Sequence, residues 1–207
     1  MQHLNYWQFP GFEHIYLEDS YVLGIEAKKA SVKILLEAVL TEKHPLYSQP
    51  LSGERYCYRR MKIKFPKPQS YNLVPQNMSP IPNPDGSIDL GNIDNFFLAN
   101  GKYHLLGEWG EITLVSDSPE LVIDSILVKN GDNPIYIDKD KIQAVEWKRK
   151  GAIELLYQND LGNLLSAHVD RSKDAAAFEA ALAYLGELQG GFVTHFTGIT
   201  ELTFSKQ

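Results

Sequence analysis

Three aspartates, Asp85, Asp89 and Asp94, fall in the short stretch Asn83-Pro84-Asp85-Gly86-Ser87-Ile88-Asp89-Leu90-Gly91-Asn92-Ile93-Asp94. Carboxylates this close together are the hard oxygen donors that calcium takes. The stretch lacks the Asp-x-Asx-x-Asx-Gly spacing and the closing glutamate of a calcium loop. Asn, Asp and Gly are also the residues of ordinary turns, because they tolerate left-handed backbone and bond to it locally. The turn reading is therefore preferred, and no metal or other cofactor is expected. A second acidic group, Glu108, Trp109 and Glu111, sits on the Gly107–Gly110 turn. Carboxylates around an aromatic anchor resemble a protein-binding hot spot in which acids replace the usual arginine.

The nucleophiles and bases carry less. Cys57 is the single cysteine, flanked by Tyr56 and Tyr58 with no histidine close in sequence. A reactive thiol needs a base and an electropositive setting, so a buried, inert cysteine is expected. The histidines at 3, 14, 44, 104, 168 and 195 form no HExxH and no close pair. Any zinc site would have to be assembled from distant positions. Neither a phosphate-cradling Gly-rich loop nor a nucleophile elbow is present. A hydrolase built from dispersed carboxylates or histidines is carried only as a remote alternative.

One concentrated basic spot remains, Trp147-Lys148-Arg149-Lys150, at a hairpin tip. Three cations on a turn beside a tryptophan can hold a phosphate or an anionic lipid headgroup. A solvated hairpin tip is the plainer reading. Arg55, Arg59, Arg60, Lys62 and Lys64 form a similar set; its alternate members make a basic row able to face acids of a neighbouring strand or a partner.

These groups need elements to hold them. The N-terminal arm carries Tyr6, Trp7, Phe9 and Phe12, an aromatic density that predicts packing onto the body. Residues 14–27 predict two short strands. Residues 31–41 alternate cleanly, with Val32, Ile34, Leu36, Ala38 and Leu40 on one face. Residues 54–65 repeat the pattern, with Cys57, Met61, Ile63 and Phe65 opposite Tyr56, Tyr58, Arg60, Lys62 and Lys64. Prolines at 66, 68, 75, 80, 82 and 84 predict an irregular excursion with one short strand at YNLV. Strands resume at 102–106, 111–115 and 121–123, the first two joined by the Gly107–Gly110 turn.

Residues 129–134, Lys-Asn-Gly-Asp-Asn-Pro, are polar and turn-rich and predict a linker. Beyond it IQAVEWK, AIELLYQ and LLSAHV read as strands, the last two joined by the Asn159–Gly162 turn. SKDAAAFEAALAYLGEL then shifts to the helical period. Phe178, Ala181, Leu182, Leu185 and Leu188 form its stripe, Ser172 its predicted N-cap, and Gly190-Gly191 its stop. The tail from Gly191 to Phe204 is β-like and suits pairing with a sheet edge. The expected fold is α+β and mostly β. An antiparallel β-sheet or barrel domain over 1–129 is followed by a smaller strand-plus-helix unit over 134–207.

The chain has 207 residues, enough to bury roughly 70% of its unfolded surface without a disulfide or metal. Its net charge of −6 argues against general nucleic-acid binding, which needs a basic field. No leader and no membrane span is legible, so a soluble, cytoplasmic protein is expected.

Two resemblances can be named on these residues. GFEHIYLEDSYVLGI, EAVLTEKHPLY, GERYCYR, GSIDLGNID and YHLLGEWGEITL make roughly the first 125 residues similar to an uncharacterised bacterial family. That resemblance implies a fold unit and no activity. NPIYIDKDKIQAVEWKRKGAIELLYQNDLGNLLSAHV and the helix after it resemble the later strands and closing helix of a pleckstrin-homology-like module. A small, acidic, two-part chain of this kind is similar to bacterial immunity proteins, which neutralise a toxin. The functional expectation is a non-catalytic binding protein, an immunity-type inhibitor of a cationic toxin domain. Its contact residues would be Asp85, Asp89, Asp94, Glu108, Trp109 and Glu111. The alternative is a regulatory module binding an anionic lipid or phosphate through Trp147, Lys148, Arg149 and Lys150.

Overall fold

Alternation dictates most of the architecture. The computed structural model describes residues 3–50, 53–76, 89–130, 133–148, 152–159, 162–187, 192–196 and 202–206, without the side chains of 130, 133, 134, 147, 186, 187, 192–196 and 202–206. The chain divides into two units, Met1–Asp124 and Ser125–Gln207. The described residues are mostly β with one α-helix, all their strand pairs are antiparallel, and none of their sheets closes into a barrel.

In the first unit the strands are β1 (His3–Asn5), β2 (Ile15–Lys28), β3 (Ser31–Leu40), β4 (Cys57–Pro66), β5 (Ser70–Pro75), β6 (Ile93–Ala99), β7 (Lys102–Gly107), β8 (Gly110–Val115) and β9 (Glu120–Ile123). They form two sheets, β1-β6-β7-β8-β5 and β2-β3-β4-β9. The inward residues of both sheets share one core, Val32, Ile34, Leu36, Met61, Ile63 and Phe65 from one and Phe96, Tyr103, Leu105, Ile112 and Leu114 from the other. Phe65 touches Phe96 and Tyr103 at 5.9 and 5.3 Å between ring centroids. The aromatic arm packs as expected: Tyr6, Phe9 and Phe12 are buried in the same core, and only Trp7 stays half-exposed. β6 is a strand that patterning alone missed, because its Asn-Phe-Phe-Leu core follows directly on a turn-rich segment.

Where two short strands are expected over 14–27, a single strand runs, broken by a wide bulge. Tyr16 pairs with Val39 and Tyr21 with Glu37, so residues 17–20 of β2 stand opposite Ala38 alone. A serine fills the interruption. The fully buried Ser20 hydroxyl donates to the Tyr16 carbonyl at 2.6 Å and accepts the Val39 N–H at 2.9 Å. Ser20→Ala leaves both backbone groups buried without that partner and is expected to cost about 1–3 kcal/mol. Urea denaturation of the single variant checks it; a loss well under that range means the gap closes by itself.

The second unit holds β10 (Ser125–Asn130), β11 (Asn133–Asp138), β12 (Ile142–Lys148), β13 (Ala152–Gln158), β14 (Leu164–Asp170), α1 (Ala175–Glu187), β15 (Phe192–Phe196) and β16 (Leu202–Lys206). Of the residues expected to form a linker, Lys129, Asn130, Asn133 and Pro134 belong instead to β10 and β11, which pair down to Asn130 and Asn133; Gly131 and Asp132 lie outside the described residues. The division therefore falls at 124/125, because alternating apolar residues Ile126, Val128 and Ile137 are buried in the second core. The main sheet runs β14-β13-β12-β16-β15. The helix is not the closing element: β15 and β16 follow it, and β16 lies beside β12.

The N-cap of α1 is Asp174, not the expected Ser172. Its Oδ1 accepts the Ala177 N–H at 3.1 Å and its Oδ2 the Lys129 N–H at 2.9 Å, while Ser172 bonds Asp170. A carboxylate two residues nearer the helix wins because it reaches the first-turn donors. The buried stripe is turned accordingly: Ala177, Phe178, Ala181 and Tyr184 are inside, and Leu182 and Leu185 only flank them. Leu188, Gly190 and Gly191 lie outside the described residues. No helix among the described residues is long and apolar enough to cross a membrane.

Candidate functional site

The segment Asp89–Asn92 and the β7–β8 turn, far apart in sequence pattern, come together at one end of the first unit. The turn is tight because β7 and β8 pair down to Gly107 opposite Gly110. The segment lies along the free side of β2: Val22 N–H donates to the Gly91 carbonyl and Leu90 N–H to the Val22 carbonyl, both at 2.8 Å. Asp89 Oδ1 accepts the Gly91 N–H at 2.8 Å, a local Asx turn. Gly91 has φ +84°, and a Cβ there would sit 2.0 Å from Glu108 Oε2. Only glycine lets the Glu108 side chain lie across that backbone.

Trp109 ties the two pieces. Its indole Nε1–H donates to the Asn92 carbonyl at 3.1 Å, and the ring is buried at 6% exposure. The residue expected to head a contact surface is thus an internal anchor. Asn92 in turn donates through Nδ2 to the Glu18 carbonyl at 2.7 Å, in the β2 bulge. The Glu18 carboxylate accepts the Tyr6 hydroxyl at 2.6 Å, which fastens the aromatic arm to the same bulge. Burial foremost, then that bond to Glu18, raises the Tyr6 phenol far above its ordinary value, so it stays a donor at any working pH.

Five of the six expected contact residues therefore gather here, four of them carboxylates. Asp94 is exposed at the β6 bulge beside Ile93, which pairs with Gly107. Glu111 is exposed on β8 opposite Leu106, its Oε1 accepting the Thr113 hydroxyl at 3.1 Å. Glu108 lies over Gly91, whose N–H the Asp89 carboxylate accepts. Trp109 is in place but inside, and Asp85 lies outside the described residues. Among the described residues, no group of three or more His, Cys, Asp or Glu side chains is placed to hold a metal ion.

The structure adds a feature that sequence pattern did not single out. On the outer face of β2-β3-β4, Tyr16, Val39 and Tyr58 stand abreast, and Tyr21, Glu37 and Arg60 form the next row. Tyr21 and Tyr58 stack at 6.0 Å, and Tyr56 meets Tyr58 edge-on at 6.2 Å. The Asp19 carboxylate at the bulge tip holds the Tyr56 phenol above its ordinary value. Tyr58 is pushed up to about 12, by burial first and then by Tyr21, Glu37 and Asp19. A phenol whose folded value exceeds its ordinary 10.0 contributes stability present below pH 10.0 and lost as pH rises through about 12. Alkaline titration by phenolate absorbance should therefore show a late-ionising tyrosine that disappears in Tyr58→Phe; an unchanged curve refutes the assignment.

The remaining candidates are placed otherwise. Cys57 is buried on β4 and accepts the Ser48 N–H at 3.4 Å. The basic row of β4 meets acids of β9 and its end: Lys64 pairs with Glu120 at 3.2 Å and Lys62 with Asp124, just past the strand, at 2.6 Å. In the second unit Lys148 is held by Glu146 on its own strand and by Glu154 of β13 at 3.3 Å. Those two carboxylates offset its charge and weaken any phosphate cradle. Arg149 and Lys150 lie outside the described residues, as does the side chain of Trp147.

No family model, no curated protein and no solved structure matches the chain.

Proposed function

We propose that this chain is a non-catalytic protein-binding module whose first unit grips a cationic partner, an immunity-type inhibitor of a basic toxin domain being the form that fits best. One observation carries the reading: Asp94, Glu108 and Glu111 stand exposed at a single sheet end, on backbone fixed by a buried tryptophan and an obligatory glycine. Carboxylates held on rigid strands lose little freedom on binding, and like charges collected at one end steer a basic partner toward it. The net charge of −6 works in the same direction.

The test is capture from the organism that makes the protein, at low and then raised salt. Wild-type chain should retain a strongly basic polypeptide that salt releases, and Glu108→Lys with Glu111→Lys should lose it. If the double variant retains the same polypeptides as wild type, the acidic end is not the contact and the reading fails.

A further inference from the structure

We propose that Tyr16, Tyr21, Tyr56 and Tyr58, with Asp19 and Glu37, form an aromatic cation site on which an arginine side chain of the protein partner docks. The inference rests on the binding function above and extends it to a surface and a recognition chemistry. Tyr16 and Tyr21 come from β2, Tyr58 from β4 and Tyr56 from the bend just before β4, and the register of β2-β3-β4 brings the two sides together across β3. Tyr56 and Tyr58 meet at 74°, so their faces make a corner, and Tyr21 lies nearly parallel to Tyr58 at 29°. Tyr16 and Tyr21 remain 42% and 37% exposed, although they sit on an otherwise ordered sheet face.

The cluster already accepts a cation. Arg55 places its guanidinium carbon 5.0 Å from the centroid of the Tyr56 ring. That contact shows the chemistry the site favours: a planar cation against a tyrosine face, with a carboxylate within reach. Asp19 acts electrostatically on Tyr56 and Tyr58, and Glu37 on Tyr58. Arg60 stands opposite Glu37, and Arg59 donates to the Tyr58 carbonyl at 2.7 Å, so Arg55, Arg59 and Arg60 all border the patch. Arginine suits the corner better than lysine, because a flat guanidinium stacks on a ring while its edge bonds a carboxylate.

Position supplies the second argument. Asp19 belongs to the same bulge as Glu18, whose carbonyl accepts from Asn92, and the next residue back, Gly91, lies under Glu108. The tyrosine corner and the acidic end are therefore joined by direct contacts within one unit.

The experiment uses the full chain and tri-arginine amide as probe, followed by tyrosine-ring and backbone NMR. Saturable shifts are expected at the rings of Tyr16, Tyr21, Tyr56 and Tyr58, with tri-lysine weaker. Tyr21→Leu should weaken tri-arginine about fivefold, as one lost cation–ring contact predicts. Asp19→Asn, a tip substitution that leaves the core intact, should weaken it too. Arg55→Gln, which removes the in-chain guanidinium, should tighten it. Shifts confined to residues 89–111 with silent tyrosines would overturn this inference while leaving the acidic end standing. An affinity unchanged by Tyr21→Leu and Asp19→Asn would overturn it as well. The capture experiment, which reads Glu108 and Glu111, is decided separately.

Discussion

Trp109→Ala is expected to lower the stability of the first unit by about 3–5 kcal/mol, the range for truncating a buried large aromatic. The indole does two things at once. Its ring fills space against Gly107, where an added Cβ would lie 2.6 Å from Nε1, and its N–H satisfies the Asn92 carbonyl. Removing it leaves a cavity and an orphaned acceptor together. Trp109→Phe separates the terms, since it keeps most of the apolar area and should cost only about 1–3 kcal/mol for the unpaired acceptor. Both are read by urea denaturation followed by far-ultraviolet circular dichroism. Because Asn92 also holds the bulge, the alanine variant should further lose binding of a cationic partner. A Trp109→Ala protein within about 1 kcal/mol of wild type would mean that this end collapses easily and is not organised by the indole.

Phe178→Ala should have a comparable effect in the second unit, again about 3–5 kcal/mol. The ring is only 2% exposed and is the largest fully buried side chain contributed by α1. Its helix otherwise offers small residues, Ala177 and Ala181, and the tip of Tyr184, whose hydroxyl bonds the Lys139 carbonyl at 2.7 Å. The alanines cannot expand into the space left behind. Hydrogen exchange resolves the outcome by region: protection of β12, β13 and β14 amides should fall together in Phe178→Ala. Unchanged protection would show that the sheet holds without the helix's aromatic contact.

Where one physical pattern dominated, the sequence was a good guide to the fold. β3 and β4 alternate over most of their length, and their inward apolar residues, Val32 to Leu40 and Cys57, Met61, Ile63 and Phe65, are buried as alternation requires; only Arg59 interrupts the row. The Gly107–Gly110 turn was legible from its glycines. β2 was legible only in halves, because Asp19-Ser20 reads as a break when it is the crown of a bulge inside one strand. The cap of α1 moved to Asp174 because two residues able to cap lie close together, and only the position of the helix start decides between them.

The site was half legible for a similar reason. Glu108, Trp109 and Glu111 announce themselves on one turn, but their approach to Asp89 depends on long-range docking of the 89–92 segment on Val22. Local pattern also cannot say that a tryptophan between two acids points inward. The tyrosine corner was out of reach: Tyr16 and Tyr21 meet Tyr56 and Tyr58 only across β3, and which residues stand abreast depends on the displacement introduced by the bulge.

That same bulge has a consequence for self-association. A fourteen-residue strand at the rim of a sheet is a template on which foreign strands can grow. Here the template is spoiled along its length. Residues 17–20 depart from the repeat, Val22 has both its polar backbone groups taken by Leu90 and Gly91, and the Ala27 carbonyl is met by the Tyr71 hydroxyl at 3.3 Å. A newly made chain thus carries its own safeguard against fibril-like stacking, built from the residues that shape its recognition surface.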